Sequence, residues 1–498
     1  MDRAKTQIMS FFLVACGAGE RASVPAPQEL VAPAQAEFSH VEFHAEASSS
    51  SPASPSKPLP EAIARIQSEA LHGSHALEFV RSLTDDAGPR LTGSDGDKRA
   101  VAWSLRTMKA LGFANVRSQK VMAPHWVRGG ETADILAPTA HRLEVTALGR
   151  SVGTAASGIT AEVIEVESLE ELKKLDHQSA RGKIVFGNVP MQRTRDGHGY
   201  GDVVGMRWAG PLIAAKAGAR AIVIRSCGTD HDRLPHTGAT SPGKPQIPSG
   251  ALSVPDAELL HRILASKKPV TMRLTLTPKT LPDVETANVI GEVRGREKPD
   301  EFVLIGAHLD SWDLGTGAID DGAGVAIALE TARLMGLVSP PRRTLRVVLF
   351  ANEESGGAGG KAYAHDPSDA QRHAAAMEAD FGGDRAFEMR HLAAPGAAEK
   401  LAPLAGYLAV LGVTVSDKDA EGGADLRSLH AFGIPLIDVS QEGTRYFDIH
   451  HTANDTIDKI DAAAIAQASA AFATVAYTIA DLDGDLGRIP DAKRKSKW

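Results

Sequence analysis

Residues 307–324 read AHLDSWDLGTGAIDDGAG. A strand-like apolar run at 302–307 enters this stretch, and a helix-like run at 325–335 leaves it. Between them stand His308 and Asp310, then the adjacent acids Asp320 and Asp321, then glycines that let the backbone turn into a helix. A histidine and an aspartate at a strand end look like the first half of a metal site. ANEES at 351–355, MEAD at 377–380 and HHTANDT at 450–456 carry the residue types that would complete it.

Outward from this stretch, strand-like runs at 286–293, 345–351 and 435–440 alternate with helix-like runs. The alternation ends on an alanine-rich helix over 461–482, with Asp461 as its N-cap. Strands alternating with helices predict an α/β fold, a mostly parallel sheet covered by helices on both faces. In such a sheet the working groups collect at the carboxyl ends of strands. His308, the Glu353–Glu354 pair, Asp380 and His451 all fall there.

Residues 59–125 open with helical spacing (Ile63, Ile66, Ala70, Leu71; Ala76, Phe79, Val80, Leu83). The turn-rich GPRLTGS at 88–94 then leads into a helix over 95–112. These residues and 286–485 are expected to form one catalytic domain. Residues 126–285 differ in texture, with β-rich runs at 143–147, 161–166, 183–186, 221–224 and 270–276 and one helix at 211–217. They read as an insert that shapes the substrate site or binds a partner. No residue in it has catalytic spacing, and His231 and His236 read as solvated surface residues.

At the N-terminus Arg3 and Lys5 precede an apolar run at 8–15, which resembles an export signal over 1–16. LVAC at 13–16 resembles a bacterial lipoprotein processing site with Cys16 as the lipidated residue. The expectation is an exported protein, either a periplasmic or outer-membrane lipoprotein with a lipid anchor, or a secreted one. Residues 17–58 read as a disordered Pro/Ser/Ala-rich linker, and 486–498 as a basic tail whose 493–497 run is solvated. Cys227, the only other cysteine, reads as a buried small hydrophobe.

Two cysteines exclude a disulfide framework and a thiolate zinc cluster, so any metal must be held by His, Asp and Glu. Lys plus Arg is 54 against 62 Asp plus Glu, a net charge of −8 with no electrostatic footprint for nucleic acid. No run reaches the roughly 18 apolar residues of a membrane span.

Oxygen and imidazole donors suit Zn²⁺, Mn²⁺ or Co²⁺. Two metals about 3.5–4 Å apart need a carboxylate between them, and one of Asp320 and Asp321 is the natural bridge. Of Glu353 and Glu354 only one need be a ligand, which leaves the other as a general base toward a water. Each motif alone is weak, since Asp-Asp-Gly is usually a turn. Their joint occurrence, in order and each at a strand end, reverses that reading.

GAHLDSWDLGTGAIDDGAG, FANEESGGAGG, MEADFGGD and YFDIHHTANDT, with GPRLTGS, resemble the motifs of the co-catalytic two-zinc aminopeptidase family, in its carboxypeptidase Q-like branch. In the insert, GKIVFGNVP, AAKAGARAIVI and IPSGALSV resemble the protease-associated domain. The resemblance covers about residues 60–482. It implies two zinc ions per chain (Co²⁺ or Mn²⁺ in their place), bridged by Asp320. His308 and Asp380 would bind one, Glu354 and His451 the other, and Glu353 would be the general base. Asp310 would fix the His308 ring, with Asp455 in the same role at His451, and Tyr446 would donate to the oxyanion. A cis peptide is expected after Asp320. His451 is chosen over His450 because Thr452 follows it. The implied activity is hydrolysis of dipeptides or short peptides by an exopeptidase, as a homodimer. The rival readings are a non-catalytic binding protein on the same scaffold, which normally lacks ligands, and a glutaminyl cyclase-like acyltransferase with one zinc.

Overall fold

In the computed structural model, which describes residues 59–495, the strand expected at 302–307 forms the buried part of the strand Lys298–His308. The export segment, Cys16 and the linker lie outside the described residues. Lys298–His308 pairs parallel with Arg343–Phe350 on one side and with His373–Glu378 on the other. Leu436–Gln441 in turn pairs parallel with His373–Glu378. These four strands are the centre of an eight-stranded sheet. The innermost stretches, 302–307 and 347–350, are buried on both faces and read as continuous apolar runs.

Each flank of the sheet joins the central strands through an antiparallel pairing. Lys279–Val293 and Ala114–Val127 form one edge, and Ala386–Leu392 lies on the other side with the short Thr414–Val415 outermost. The expected parallel sheet is thus its central part. Ala114–Val127 and Lys279–Val293 depart from it for a plain reason: they are the legs along which the chain leaves for a second sheet and returns.

Val303, Ile305 and Ala307 face a core built with the helices Ala323–Met335 and Ala462–Ala480. Leu304 and Val348 face the opposite layer, with Leu429 and Leu436. This alternation is the strand period of two. Ala462–Ala480 is long and apolar enough to cross a membrane, but it is a core helix here, buried along nearly its whole length. Its N-cap is Asp461, whose carboxylate accepts the Ala464 N–H at 2.7 Å.

The second sheet also has eight strands, drawn from residues 131–276, with a core around Ile184, Phe186, Val223 and Leu274. It is less purely β than its sequence suggests. In place of the short helix expected at 211–217, His198–Lys216 runs for 19 residues with Pro211 inside it. Gly199, Gly201, Gly205 and Gly210 lower its helical propensity, and the proline interrupts the pattern. His236, expected at the surface, is buried, and its Nε2 lies 2.6 Å from Asp230 Oδ2. His231 is exposed, and Cys227 is buried as expected. The basic tail is likewise tied down as far as Lys495. Leu486 and Ile489 are buried, Lys493 pairs with Asp419 at 2.7 Å, and Arg494 Nε donates to Ile489 O at 2.8 Å. Those two apolar residues give it an anchor that its charges conceal.

Arg90, fully buried, fixes the loop between His308 and Asp320. Its Nε donates to Leu309 O at 2.7 Å, Nη1 to Thr316 O at 2.7 Å and Nη2 to Gly317 O at 2.8 Å. An unsatisfied buried carbonyl costs about 1–3 kcal/mol. Arg90→Met removes three donors at once and is expected to lower the unfolding free energy by at least about 3 kcal/mol, measured by urea denaturation. A change below roughly 1 kcal/mol would show that the loop does not depend on this guanidinium.

Candidate metal centre

The five expected ligands meet in one hollow at the carboxyl ends of the parallel strands. Asp320 is at its centre. Its Oδ1 lies 3.0 Å from His308 Nε2, and its Oδ2 lies 3.2 Å from His451 Nε2. Asp380 Oδ1 joins the first side, 3.4 Å from His308 Nε2. Glu354 Oε2 joins the second, 3.1 Å from His451 Nε2. One carboxylate therefore faces two imidazole–carboxylate pairs, one with each oxygen.

Backbone geometry separates the two neighbouring aspartates. The peptide between Asp320 and Asp321 is cis. Asp321 turns away, and its oxygens accept the N–H groups of His308 at 2.9 Å and Gly324 at 3.0 Å. It staples the strand end to the start of the helix Ala323–Met335. His450 Nε2 is 3.6 Å from Asp320 Oδ2, and its ring stacks on His451 at 3.5 Å, so it lines the hollow one step further out.

The supports differ from expectation at two places. Nδ1 of His308 lies 2.9 Å from the backbone carbonyl of Asp310, whereas the Asp310 carboxylate is 3.9 Å away. That carboxylate instead accepts the Glu353 N–H at 3.0 Å and the Thr92 hydroxyl at 3.1 Å. Asp310 thus orients the ring through its main chain and the Glu353 loop through its side chain. Asp455 does not touch the His451 ring. Its carboxylate accepts the N–H groups of Ile319 at 2.6 Å and Asp320 at 3.3 Å, because the turn before Asp320 needs acceptors there.

His451 is oriented from the second sheet. Its Nδ1 lies 3.2 Å from Thr237 O, and the Thr237 N–H donates to His451 O at 3.0 Å. A ring whose Nε2 is to bind a cation carries its proton on Nδ1 and gives it to an acceptor such as this carbonyl. His451 holds a φ of 63°, a left-handed conformation uncommon for a side chain of this size.

The hollow carries excess negative charge. Burial pushes Glu353, Glu354, Asp380 and Asp321 above the usual carboxylate range, although His308 or His451 opposes it. Burial would raise Asp320 as well, but hydrogen bonds with His308 and His451 hold it well below. Burial disfavours a charged His451, yet Glu354 and Asp320 outweigh it and raise the ring to about 9. Oε1 of Glu354 is buried without a hydrogen-bond partner. Imidazole and carboxylate donors, one orphaned oxygen and a surplus of buried anions fit divalent cations. The residues in place to hold them are His308, Asp320, Glu354, Asp380 and His451.

The hollow opens into a cavity of about 340 Å³. Glu353 and Tyr446 line it. Burial, then Asp320 and Asp380, hold the Tyr446 hydroxyl well above its usual pKa, so it stays a proton donor. The long helix of the second sheet contributes Tyr200, Arg207 and Trp208 to the wall. The sequence reading missed these three. They sit in a glycine-broken run with no motif, and only the folded contact marks them.

Residues 288–476 match Peptidase family M28. The chain is 34% identical to carboxypeptidase Q of Mus musculus over 432 residues, 86% of this chain and 90% of that one. The crystal structure of a peptidase M28 precursor from Shewanella amazonensis is 41% identical with a TM-score of 0.84, covering 86% of this chain and 98% of that chain. BSAP, a zinc aminopeptidase from Bacillus subtilis, shares the fold at a TM-score of 0.61 and 21% identity, over 83% of this chain and 98% of its own. Kinship over most of its length thus joins the anionic hollow as evidence of what the protein is: the chain belongs to Peptidase family M28 and is a metallo-exopeptidase.

Proposed function

We propose that the protein is an exported exopeptidase that uses two zinc ions per chain to hydrolyse dipeptides or other short peptides. The observation that carries this reading is Asp320, with one oxygen turned to His308 and Asp380 and the other to His451 and Glu354. His308 and Asp380 would hold one ion, Glu354 and His451 the second, and Asp320 both. When bound, such a pair supplies Lewis acidity to a water and to the scissile carbonyl. The cavity of about 340 Å³ is at the small end for ligand sites and suits a dipeptide-sized molecule. The basic–apolar segment ending at Cys16 supports export, with lipidation at that cysteine.

Glu353 is the general base. It lines the cavity beside Glu354 without taking a place in either imidazole pair, and Asp310 fixes its backbone. Its carboxylate takes a proton from the attacking water and returns it to the leaving amine. Its raised proton affinity, which comes from burial and then from Asp380 and Glu354, suits that exchange. The Tyr446 hydroxyl donates to the oxygen that gains charge as the carbonyl is attacked.

Two outcomes test this assignment. Glu353→Gln is expected to keep its full metal content by elemental analysis while kcat on an unblocked dipeptide falls by about 10³. Unchanged turnover would remove Glu353 from this role. Asp320→Asn removes the one negative charge that both positions would share and is expected to lose metal from both positions. Full occupancy in a folded Asp320→Asn protein would show that Asp320 bridges nothing.

A further inference from the structure

Among the described residues the imidazole and carboxylate side chains close enough to share a cation form four groups, and three of these belong to the hollow around Asp320. The fourth lies in the second sheet and shares no residue with the hollow. It consists of Glu165, Glu167 and His261, one donor atom from each, all within 4.8 Å of one another. Glu165 and Glu167 flank the last residue of the strand Ile159–Val166, and a spacing of two puts both carboxylates on one face of an extended chain. His261 comes from the helix Val254–Ala265. The strand Ile184–Gly187 pairs parallel with the first, and Asn188 follows it directly. The place is the carboxyl end of a parallel pair, where ligand sites collect.

The two carboxylates are short of positive charge. Glu165 Oε1 lies 2.7 Å from His261 Nδ1, and neither glutamate pairs with a lysine or arginine among the described residues. Glu171 adds a third acid, accepting the Glu167 N–H at 2.7 Å. Asn188 turns this acidic surface into a site. It is only 5% exposed, and its N–H is fixed on Val166 O at 2.8 Å. Its amide head points into the group, with Nδ2 donating to Glu165 Oε1 at 2.8 Å, while its Oδ1 is buried without a hydrogen-bond partner. Such an oxygen is costly to leave unpaired. A half-turn of the amide brings Oδ1 to the face that Nδ2 now holds. A cation there receives two carboxylates, one imidazole nitrogen and one amide oxygen. Zinc takes four donors of these kinds at about 2.0–2.2 Å in a tetrahedron. Only the exposed Glu167 and the partly exposed His261 need close in to form it.

We infer that Glu165, Glu167, Asn188 and His261 hold a structural Zn²⁺, apart from the hollow, that clasps the helix Val254–Ala265 to the ends of two parallel strands. The imidazole selects zinc over Ca²⁺ or Mg²⁺, which prefer oxygen alone. The helix packs Ala257 and Leu260 into the core of the second sheet, so the ion reinforces the body that supplies Thr237 to His451.

The test titrates the chelator-treated full chain with Zn²⁺ by calorimetry. His261→Gln and Glu167→Gln are each expected to lose one binding event that wild type shows, its affinity falling by at least about a hundredfold. Asp320→Asn keeps that event whatever becomes of the hollow, so failure here and failure of the peptidase reading are told apart. A loss in Asp320→Asn as well would place the event in the hollow and overturn the inference. So would an isotherm unchanged by His261→Gln. An event abolished in wild type by about a hundredfold excess of Mg²⁺ would be an adventitious ion only, held by carboxylates without the imidazole, and would equally refute the site. Both substituted side chains reach solvent, so the fold is not at stake. Anomalous scattering at the zinc absorption edge gives the answer without any substitution: a peak beside His261 and Glu165 is required, and a crystal with zinc in the hollow alone excludes the site.

Discussion

A single carboxylate has to face two imidazole–acid pairs at once in a buried place, and the architecture around the hollow follows from that demand. Coulombic forces alone would drive the acids of this hollow apart. Asp320 stays between His308 and His451 because its backbone is held from several directions. Asp455 takes the N–H groups of Ile319 and Asp320, and Arg90 ties Leu309, Thr316 and Gly317 into one loop. The Gly322 N–H closes the turn on Gly317 O at 3.0 Å. Burial and Asp320 raise Asp455 itself to about 7. The support is thus electrostatically linked to the carboxylate it holds.

The adjacent acids in the two central motifs divide their labour. Asp320 enters the hollow, and Asp321 spends one oxygen on the His308 N–H at a strand end and the other on the Gly324 N–H at a helix start, where a carboxylate is well placed. Glu354 turns to His451, while its neighbour Glu353 lines the cavity with its N–H held by Asp310. The turn that separates the glutamates begins at Asn352, in a left-handed conformation with its Nδ2 on the Thr92 hydroxyl. In each pair a local backbone device sends neighbouring charges to different tasks.

How much of this was legible in the sequence depended on range. Apolar runs ending in His308 or beside Glu353 announce buried parallel strands, because a strand covered on both faces is mostly apolar. His308, Glu354 and Asp380 were readable because each stands at or just past such a strand's end, and Asp320 and His451 because the loops that follow such strands carry them. Their supports were not, since a contact such as Asp455 with Asp320 or Arg90 with Gly317 leaves no periodic trace. The two reassigned acids show this well. Asp310 and Asp455 were marked as important, but the group each one holds is set by loop geometry. His236 and the tail as far as Lys495 were misread for a related reason. Polar letters suggest solvent unless a partner such as Asp230 or Asp419 can be foreseen.

The second sheet is part of the site rather than an appendage. Thr237 exchanges two hydrogen-bonding contacts with His451, one through its carbonyl and one through its N–H. The His451 ring and its left-handed backbone are thereby held from residues more than two hundred positions away in sequence. Thr229 and Arg193 add side-chain contacts to Asp448 on the same segment, at 2.6 and 2.8 Å. The parallel sheet alone leaves His451, the last of the proposed ligands, on a loop without its orienting acceptor. The legs Ala114–Val127 and Lys279–Val293, paired along most of their length, fix where the second sheet emerges.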